Sequence, residues 1–145
     1  MTNPFSPDPE FDARIRAGFG RQGLMKTIGA RLTKVAPGEV RIEIPFAEGL
    51  TQQHGFVHAG IVTAIVDNAC GFAANTLMPA ECEVLTVEYK VNFLSPATGE
   101  TFVAIGKAVK PGSTLTVCTG EVWAHTEGGR KLIAVMQATM MAVKQ

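Results

Sequence analysis

Apolar and polar positions divide the chain into a helical start, two strands, one long apolar helix and a run of four strands. From Glu10 to about Gly29 the apolar residues Phe11, Ile15, Phe19, Leu24, Met25 and Ile28 recur at helical spacing. Gly18, Gly20 and Gly23 interrupt them, which predicts a helix, a break and a short second turn. Residues 30–35 read as a strand, and Pro37-Gly38 as a turn. In residues 39–46, Val40, Ile42, Ile44 and Phe46 alternate with Arg41, Glu43 and Pro45, the period of a half-buried strand. Pro45 is expected at an edge or near the strand's end. Residues 47–57 read as a loop, and residues 58–77 as a helix apolar almost all round, a pattern that needs cover on most sides. Residues 83–95, 100–110, 114–126 and 131–143 then read as strands. Turn signals at Pro96-Ala97-Thr98-Gly99, Pro111-Gly112-Ser113 and Glu127-Gly128-Gly129-Arg130 separate them. The first of these strands alternates Leu85, Val87, Tyr89, Val91 and Phe93 with Thr86, Glu88, Lys90 and Asn92, and Gly120 marks a candidate bulge.

This order predicts an α+β fold, an antiparallel sheet wrapped around one long central helix. The helix is apolar on more sides than one sheet covers, so a second subunit is expected over the rest. The chain reads as a single domain over residues 1–145. Residues 1–29 form an arm and helical segment, and the proline-bearing residues 1–9 form a loose arm.

With 145 residues, 46% hydrophobic and 18% charged, the chain supports one well-filled core. Thirteen basic residues balance thirteen acidic ones, so no basic surplus points to nucleic acid. The start MTNPFSPDPEF lacks the pattern of a secretory leader, and the apolar stretch from Ala59 to Ala74 is broken by Asp67 and Asn68. No membrane span is expected. Cys70, Cys82 and Cys118 have no CxxC spacing and read as reduced thiols of a cytoplasmic protein, and they form no metal set with the scattered histidines. No cofactor is implied.

Candidate chemistry gathers between Gln52 and Asp67. The long helix begins at His58-Ala59-Gly60, with no Ser, Thr, Asp or Asn before it. Its first N–H groups are expected to be free and to carry the positive end of the helix dipole. Ala59 and Gly60 are small enough for a ligand oxygen to approach the backbone, so the start is a candidate oxyanion site. Asp67 stands among apolar residues with no Lys or Arg on its helix. It is either paired from another element or facing a solvated cleft; both readings stay open from the pattern alone. His54, Cys70 and Asn75 read as solvent-facing, inert and helix-ending. Met136, Met140 and Met141 read as core or pocket wall.

The segment Gln52-x-x-Gly55-x-x-His58-Ala59-Gly60, with Asp67 seven residues beyond Gly60, resembles the hotdog thioesterases of the phenylacetate-pathway (PaaI) type. Their pattern is Asn-x-x-Gly-x-x-His-Gly-Gly followed by an Asp on the central helix. The stretch from Val84 to Tyr89 and on to Asn92-Phe93-Leu94-Ser95-Pro96 resembles that family's third strand, and the likeness runs over about residues 30–143. Ala59 stands where the family has its first Gly, and Gln52 where it has Asn.

The resemblance implies the hotdog fold and hydrolysis of an acyl-CoA thioester, aryl-acyl or medium-chain. It implies that the Ala59 N–H polarises the thioester carbonyl and that Asp67 acts from the opposite subunit as base or nucleophile. Gln52 would orient carbonyl or water, His58 would position the loop or the thioester, and Thr86 would help hold the water. It also implies a homodimer assembled as a dimer of dimers. For the coenzyme A phosphates, Lys90, Lys107, Lys110 and Arg130 are the available cations. The turn Lys110-Pro111-Gly112-Ser113 offers backbone N–H groups beside one of them. Two other functions fit the same fold, a non-catalytic acyl-CoA-binding module and an enoyl-CoA hydratase or dehydratase.

Overall fold

In the computed structural model, which describes residues 8–145, two short helices lead into the sheet: α1 (Phe11–Gly20) and α2 (Gly23–Thr27). Strands β1 (Arg31–Ala36) and β2 (Glu39–Pro45) follow, and Pro45 ends its strand. A single 3-10 turn, Glu48–Leu50, interrupts the loop before the long helix α3 (Ala59–Asn75). Strands β3 (Cys82–Phe93), β4 (Thr101–Lys110), β5 (Leu115–Thr126) and β6 (Gly129–Lys144) complete the chain. The expected order of elements is therefore the observed one. Most of the expected arm, residues 1–9, lies outside the described residues.

All six strands form one antiparallel sheet in the order β1-β2-β4-β5-β6-β3, and α3 lies in its curve. This is the hotdog architecture. Ile42, Ile44, Phe102, Ala104, Val122 and Ala138 face α3 from alternate positions of their strands and are buried. From α3, Val62, Ile65, Val66, Ala69 and Cys70 meet them. No helix among the described residues is long and apolar enough to cross a membrane.

The helix can sit this low because of two glycines. Gly106 of β4 and Gly120 of β5 are directly paired across the sheet. A Cβ on Gly106 would fall 2.3 Å from the Ala69 carbonyl carbon, and one on Gly120 would fall 2.5 Å from Val66 Cγ2. Gly120 is thus the seat of the helix rather than a bulge; the register of β5 shifts later, between Val122 and Trp123.

The other cover of α3 comes partly from the chain itself. Phe19 of α1 packs on Phe72 with ring centroids 6.3 Å apart, and Gln22 Nε2 donates to Asn68 Oδ1 at 2.9 Å. Arg14 donates to the carbonyl oxygens of Asn75 and Met78, each at 3.2 Å, and so satisfies groups at the C-terminal end of α3 where a cation is favoured. A second subunit is therefore not needed over the C-terminal half of the helix. The part left open is the flank toward β3.

β3 departs from the alternation read in the sequence. Its pairing with β6 shifts between Thr86 and Glu88, so Val87 is an extra residue and the faces exchange there. Thr86 lies opposite buried Met140, while Tyr89, Val91 and Phe93 lie opposite buried Ala138, Met136 and Ala134. Thr86 therefore shares the inner face with Tyr89, Val91 and Phe93 rather than with Glu88. Glu88 points outward and accepts from Thr139 Oγ1 at 3.1 Å.

Candidate active site at the start and middle of the central helix

The loop before α3 is shaped by Gln52. Gly55 takes a φ of 85° at the turn tip, Gly55 N–H donates to the Gln52 carbonyl, and Thr51 bridges Val57. The side-chain oxygen of Gln52 accepts from the backbone N–H groups of His54 and Phe56. With the oxygen tied to two donors, the amide orientation is fixed and its Nε2 is the end left over. His54 is exposed on this turn.

The helix start is capped, against the expectation of a bare end. His58 Nδ1 accepts from the Gly60 N–H at 2.8 Å, so the ring's proton sits on Nε2. A Cβ on Gly60 would stand 3.0 Å from that nitrogen, so the glycine makes room for the imidazole. The Gly60 N–H is thereby occupied. The Ala59 N–H meets no acceptor among the described residues and lies exposed at the positive end of the helix.

Ala59 opens onto a cleft of about 400 Å³ between the helix start, the loop and the end of β3. Gln52, Phe56, Val62, Phe93, Leu94 and Ile133 are among its walls. Val62, Leu94 and Ile133 were not singled out from the sequence, although Val62 stands three residues after Ala59 on the same side of the helix. Of the methionines read as core or wall, Met136 and Met140 are buried beneath the helix, and none lines this cleft.

Asp67 lies on the flank of α3 facing β3. Thr86 Oγ1 donates to its Oδ1 at 2.8 Å, a contact made possible by the shift that turns Thr86 inward. Burial holds the Asp67 carboxyl above the usual carboxylate range, and the Thr86 hydroxyl partly offsets this. No Lys, Arg or His forms an ion pair with it among the described residues. The two readings left open by the sequence resolve to a partly open, hydroxyl-bonded acid with no cationic partner.

Asp67 and Ala59 are not together in one chain. They stand eight residues apart on α3, about 12 Å along the axis at ~1.5 Å per residue, and Asp67 does not line the cleft. Lys110, Gly112 and Ser113 are farther still. They sit at the end of β4 opposite Thr101, about 30 Å along the strand from the end beside the helix start. The Gly112 N–H faces Thr116 Oγ1 at 3.5 Å. Lys90, Lys107 and Arg130 do not line the cleft either, and Arg130 stacks on Trp123 at 4.3 Å. Cys70 and Cys118 are buried thiols, pushed up by burial, Cys118 to about 12, so neither supplies a thiolate near neutrality.

An unoccupied N–H at a helix start and a carboxylate with raised proton affinity are parts suited to acyl transfer to water. Comparison with known proteins agrees. Residues 54–130 match the thioesterase superfamily. A Halobacterium salinarum protein named "putative esterase" is 33% identical over 110 residues, 72% of each chain. The crystal structure of a thioesterase family protein from Silicibacter pomeroyi superposes with a TM-score of 0.91 at 50% identity, over 93% of this chain and 99% of that one. The E. coli PaaI protein from the phenylacetic acid degradation operon shares the fold, with a TM-score of 0.83 at 16% identity over 95% and 96% of the two chains. The chain belongs to the thioesterase superfamily.

Proposed function

We propose that the protein hydrolyses acyl-CoA thioesters to a free acid and coenzyme A, in the manner of the PaaI-type enzymes it resembles, at a site shared between two copies of the chain. The observation that carries this reading is the pair of half-sites on one helix. The free Ala59 N–H and the Asp67 carboxylate are both suited to the reaction, yet too far apart to act on one carbonyl within a chain. Reacting groups must stand roughly 3 Å from the atoms they act on.

The β3 edge supports the shared site. The other edge of the sheet, β1, is short and carries Arg31 and Lys34, each paired to a glutamate of β2. Charge of this kind guards an edge against further pairing. β3 is long and presents Tyr89 and Phe93, each 48% exposed, on its inner face, with Val87 also exposed at the bulge. A two-fold dimer formed by antiparallel pairing of β3 about its middle sets the Thr86 end of one copy against the Phe93 end of the other. That brings Asp67 of the partner subunit toward Ala59. Assembly of two such dimers into a tetramer is the further expectation of the resemblance.

In this site the carbonyl oxygen accepts from the Ala59 N–H, with Gln52 Nε2 as a second donor on the same cleft. Asp67 of the partner subunit either takes the proton from water as it attacks or attacks the carbonyl itself to form an anhydride that water then cleaves. Thr86 positions that carboxylate. The C–S bond breaks and the thiolate departs, taking its proton from solvent; it needs no strong acid because thiols ionise readily. His58 shapes the helix start by holding the Gly60 N–H. A hydratase would need an imidazole and a carboxylate at one C–H bond, and the Nδ1 of His58 is committed to the helix cap. Release of free thiol from a panel of acyl-CoA esters tests the proposal. Turnover of at least one aryl-acyl or medium-chain ester is expected. Tight binding of acyl-CoA without thiol release would make the protein a binding module instead.

A further inference from the structure

We propose that Glu88 and Lys90, on the outer face of β3, fix the register of the shared site. Glu88 pairs with the partner's Lys90, and Lys90 with the partner's Glu88, which centres the two-fold axis on Tyr89. The inference rests on the two-subunit reading of the site and adds the residues that set where the partner's Asp67 stands relative to Ala59.

Directly opposed residues of an antiparallel pair share a face, so a two-fold pair of β3 strands is centred on one residue and slips only by two residues at a time. In each such register Tyr89, Val91 and Phe93 stay on the inner face. The outward charges choose among the registers. Centred on Glu88, the pair sets Glu88 against the partner's Glu88; centred on Lys90, it sets Lys90 against the partner's Lys90. Centred on Val91, it sets Lys90 against the partner's Asn92 and Glu88 against the partner's Leu94. Among these centres, Tyr89 alone gives each charge its opposite. Both side chains are open to such partners. On β2, Glu39 and Arg41 stand two residues apart and bond each other at 3.1 Å. Glu88 and Lys90 have the same spacing, yet they are exposed and form no ion pair among the described residues. One carboxylate oxygen of Glu88 accepts from Thr139, which leaves the other.

Spacing along the helix gives the same centre independently. α3 and β3 run in opposite directions, with Ala59 near Phe93 and Asp67 at Thr86. Ala59 meets the partner's Asp67 when the axis passes midway between the two positions, beside Thr63, about 6 Å from each at ~1.5 Å per residue. Thr63 lies on the same flank, one turn from both. On β3, Tyr89 lies two ladder steps beyond Thr86, since the two pair with Ala138 and Met140 of β6. Two steps are about 7 Å at ~3.4 Å per residue, in agreement with the helix. A centre on Glu88 would give about 3 Å and one on Lys90 about 10 Å. A slip of two residues carries the partner's Asp67 about 7 Å along the strand, beyond the roughly 3 Å reach of reacting groups. Glu88 and Lys90 are therefore positioning residues, which act through the placement of Asp67.

Cysteine cross-linking under mild oxidation reads the register without turnover. Cys70, Cys82 and Cys118 are buried and do not compete. Tyr89→Cys is expected to link to itself, because opposed residues of an antiparallel pair stand about 4.5–5.5 Å apart at Cα, within disulfide range. Glu88→Cys and Lys90→Cys are each expected to stay unlinked alone and to link when the two are mixed. Self-linking by either, or absence of the mixed link, overturns the register. Charge reversal reads its cause. Glu88→Lys and Lys90→Glu are each expected to weaken the dimer at least about 10-fold at low salt and less at high salt. The double exchange of the two is expected to restore both dimer and thiol release. A double variant no better than the singles overturns the pairing. If the wild type releases no thiol from any ester, the hydrolytic reading fails, and the cross-links and dimer constants still decide the register. If it does release thiol while the mixed link is absent, the register falls and the thioesterase reading stands.

Discussion

On the side of α3 that faces the sheet, Val66, Ala69 and Cys70 press onto Gly106 and Gly120 with no room for a methyl group. On the flank that faces the β3 edge, Ala59 and Asp67 remain partly open, and the inner residues of β3 beside them are uncovered. One helix thus carries a closely packed side and a side with free polar groups and exposed apolar surface. The difference separates two tasks. The packed side fixes the height and rotation of the helix. The open side accepts a partly desolvated acid, which costs stability, because the packed side holds it in place.

The contrast can be broken most severely at the seat. Gly106→Ala sets a methyl group against the backbone of Ala69 and Cys70, which cannot rotate away. A loss of about 3 kcal/mol or more is expected in denaturant unfolding, at the upper end of overpacking costs. A loss below about 1 kcal/mol would mean that the helix is not seated as described.

Asp67→Asn tests the open side in the opposite sense. Thiol release is expected to fall at least about 100-fold, roughly 2.7 kcal/mol of transition-state stabilisation. Stability should not fall with it. The folded protein raises the proton affinity of Asp67 above that of the unfolded chain, so its ionised form opposes folding. That penalty is complete above the folded pKa and vanishes below the ordinary carboxylate range. The Asn variant should therefore melt higher than wild type at about pH 7 and no higher at about pH 3. A lower melting temperature at neutral pH would show that Asp67 is a stabilising partner rather than a strained acid.

The smallest expected effect comes from Thr86→Val. It removes the hydroxyl that lowers the proton affinity of Asp67, so the acid limb of the kcat/KM profile should move to higher pH. Activity well above that limb should change much less. A profile that drops uniformly without moving would assign Thr86 to packing.

Much of the fold was legible because period-two strands and one wholly apolar helix admit few arrangements. Val40, Ile42 and Ile44 alternated and lie buried on β2, and the helix read at 58–77 is Ala59–Asn75. What the pattern missed were features that depend on a neighbour. A strand glycine signals either a bulge or a close approach. Only the position of Ala69 and Val66 shows that Gly106 and Gly120 are the second kind. The extra residue at Val87 leaves no mark in a strand that alternates as smoothly as 83–95, yet it turns Thr86 toward Asp67. The cap at α3 comes from an imidazole, which is not among the usual capping groups, and it works here because Gly60 gives it space. The cover supplied by α1 was missed because Gly18, Gly20 and Gly23 read as interruptions of a helix. In the fold Gly18 brings α1 against Phe72, where a Cβ would stand 3.4 Å from the ring.

The shared site is tested most directly by mixing two inactive subunits. Ala59→Pro removes the N–H donor at the first position of α3, where proline is well tolerated. His58 already has the extended ψ of 136° that precedes a proline. Asp67→Asn removes the acid. Each variant alone is expected to be nearly inactive. Co-expressed, they form mixed dimers in which the intact Ala59 of one subunit meets the intact Asp67 of the other. With random pairing, about one quarter of wild-type activity should return. Activity no greater than the two variants show separately would mean that the N–H and the carboxylate do not act together across the interface.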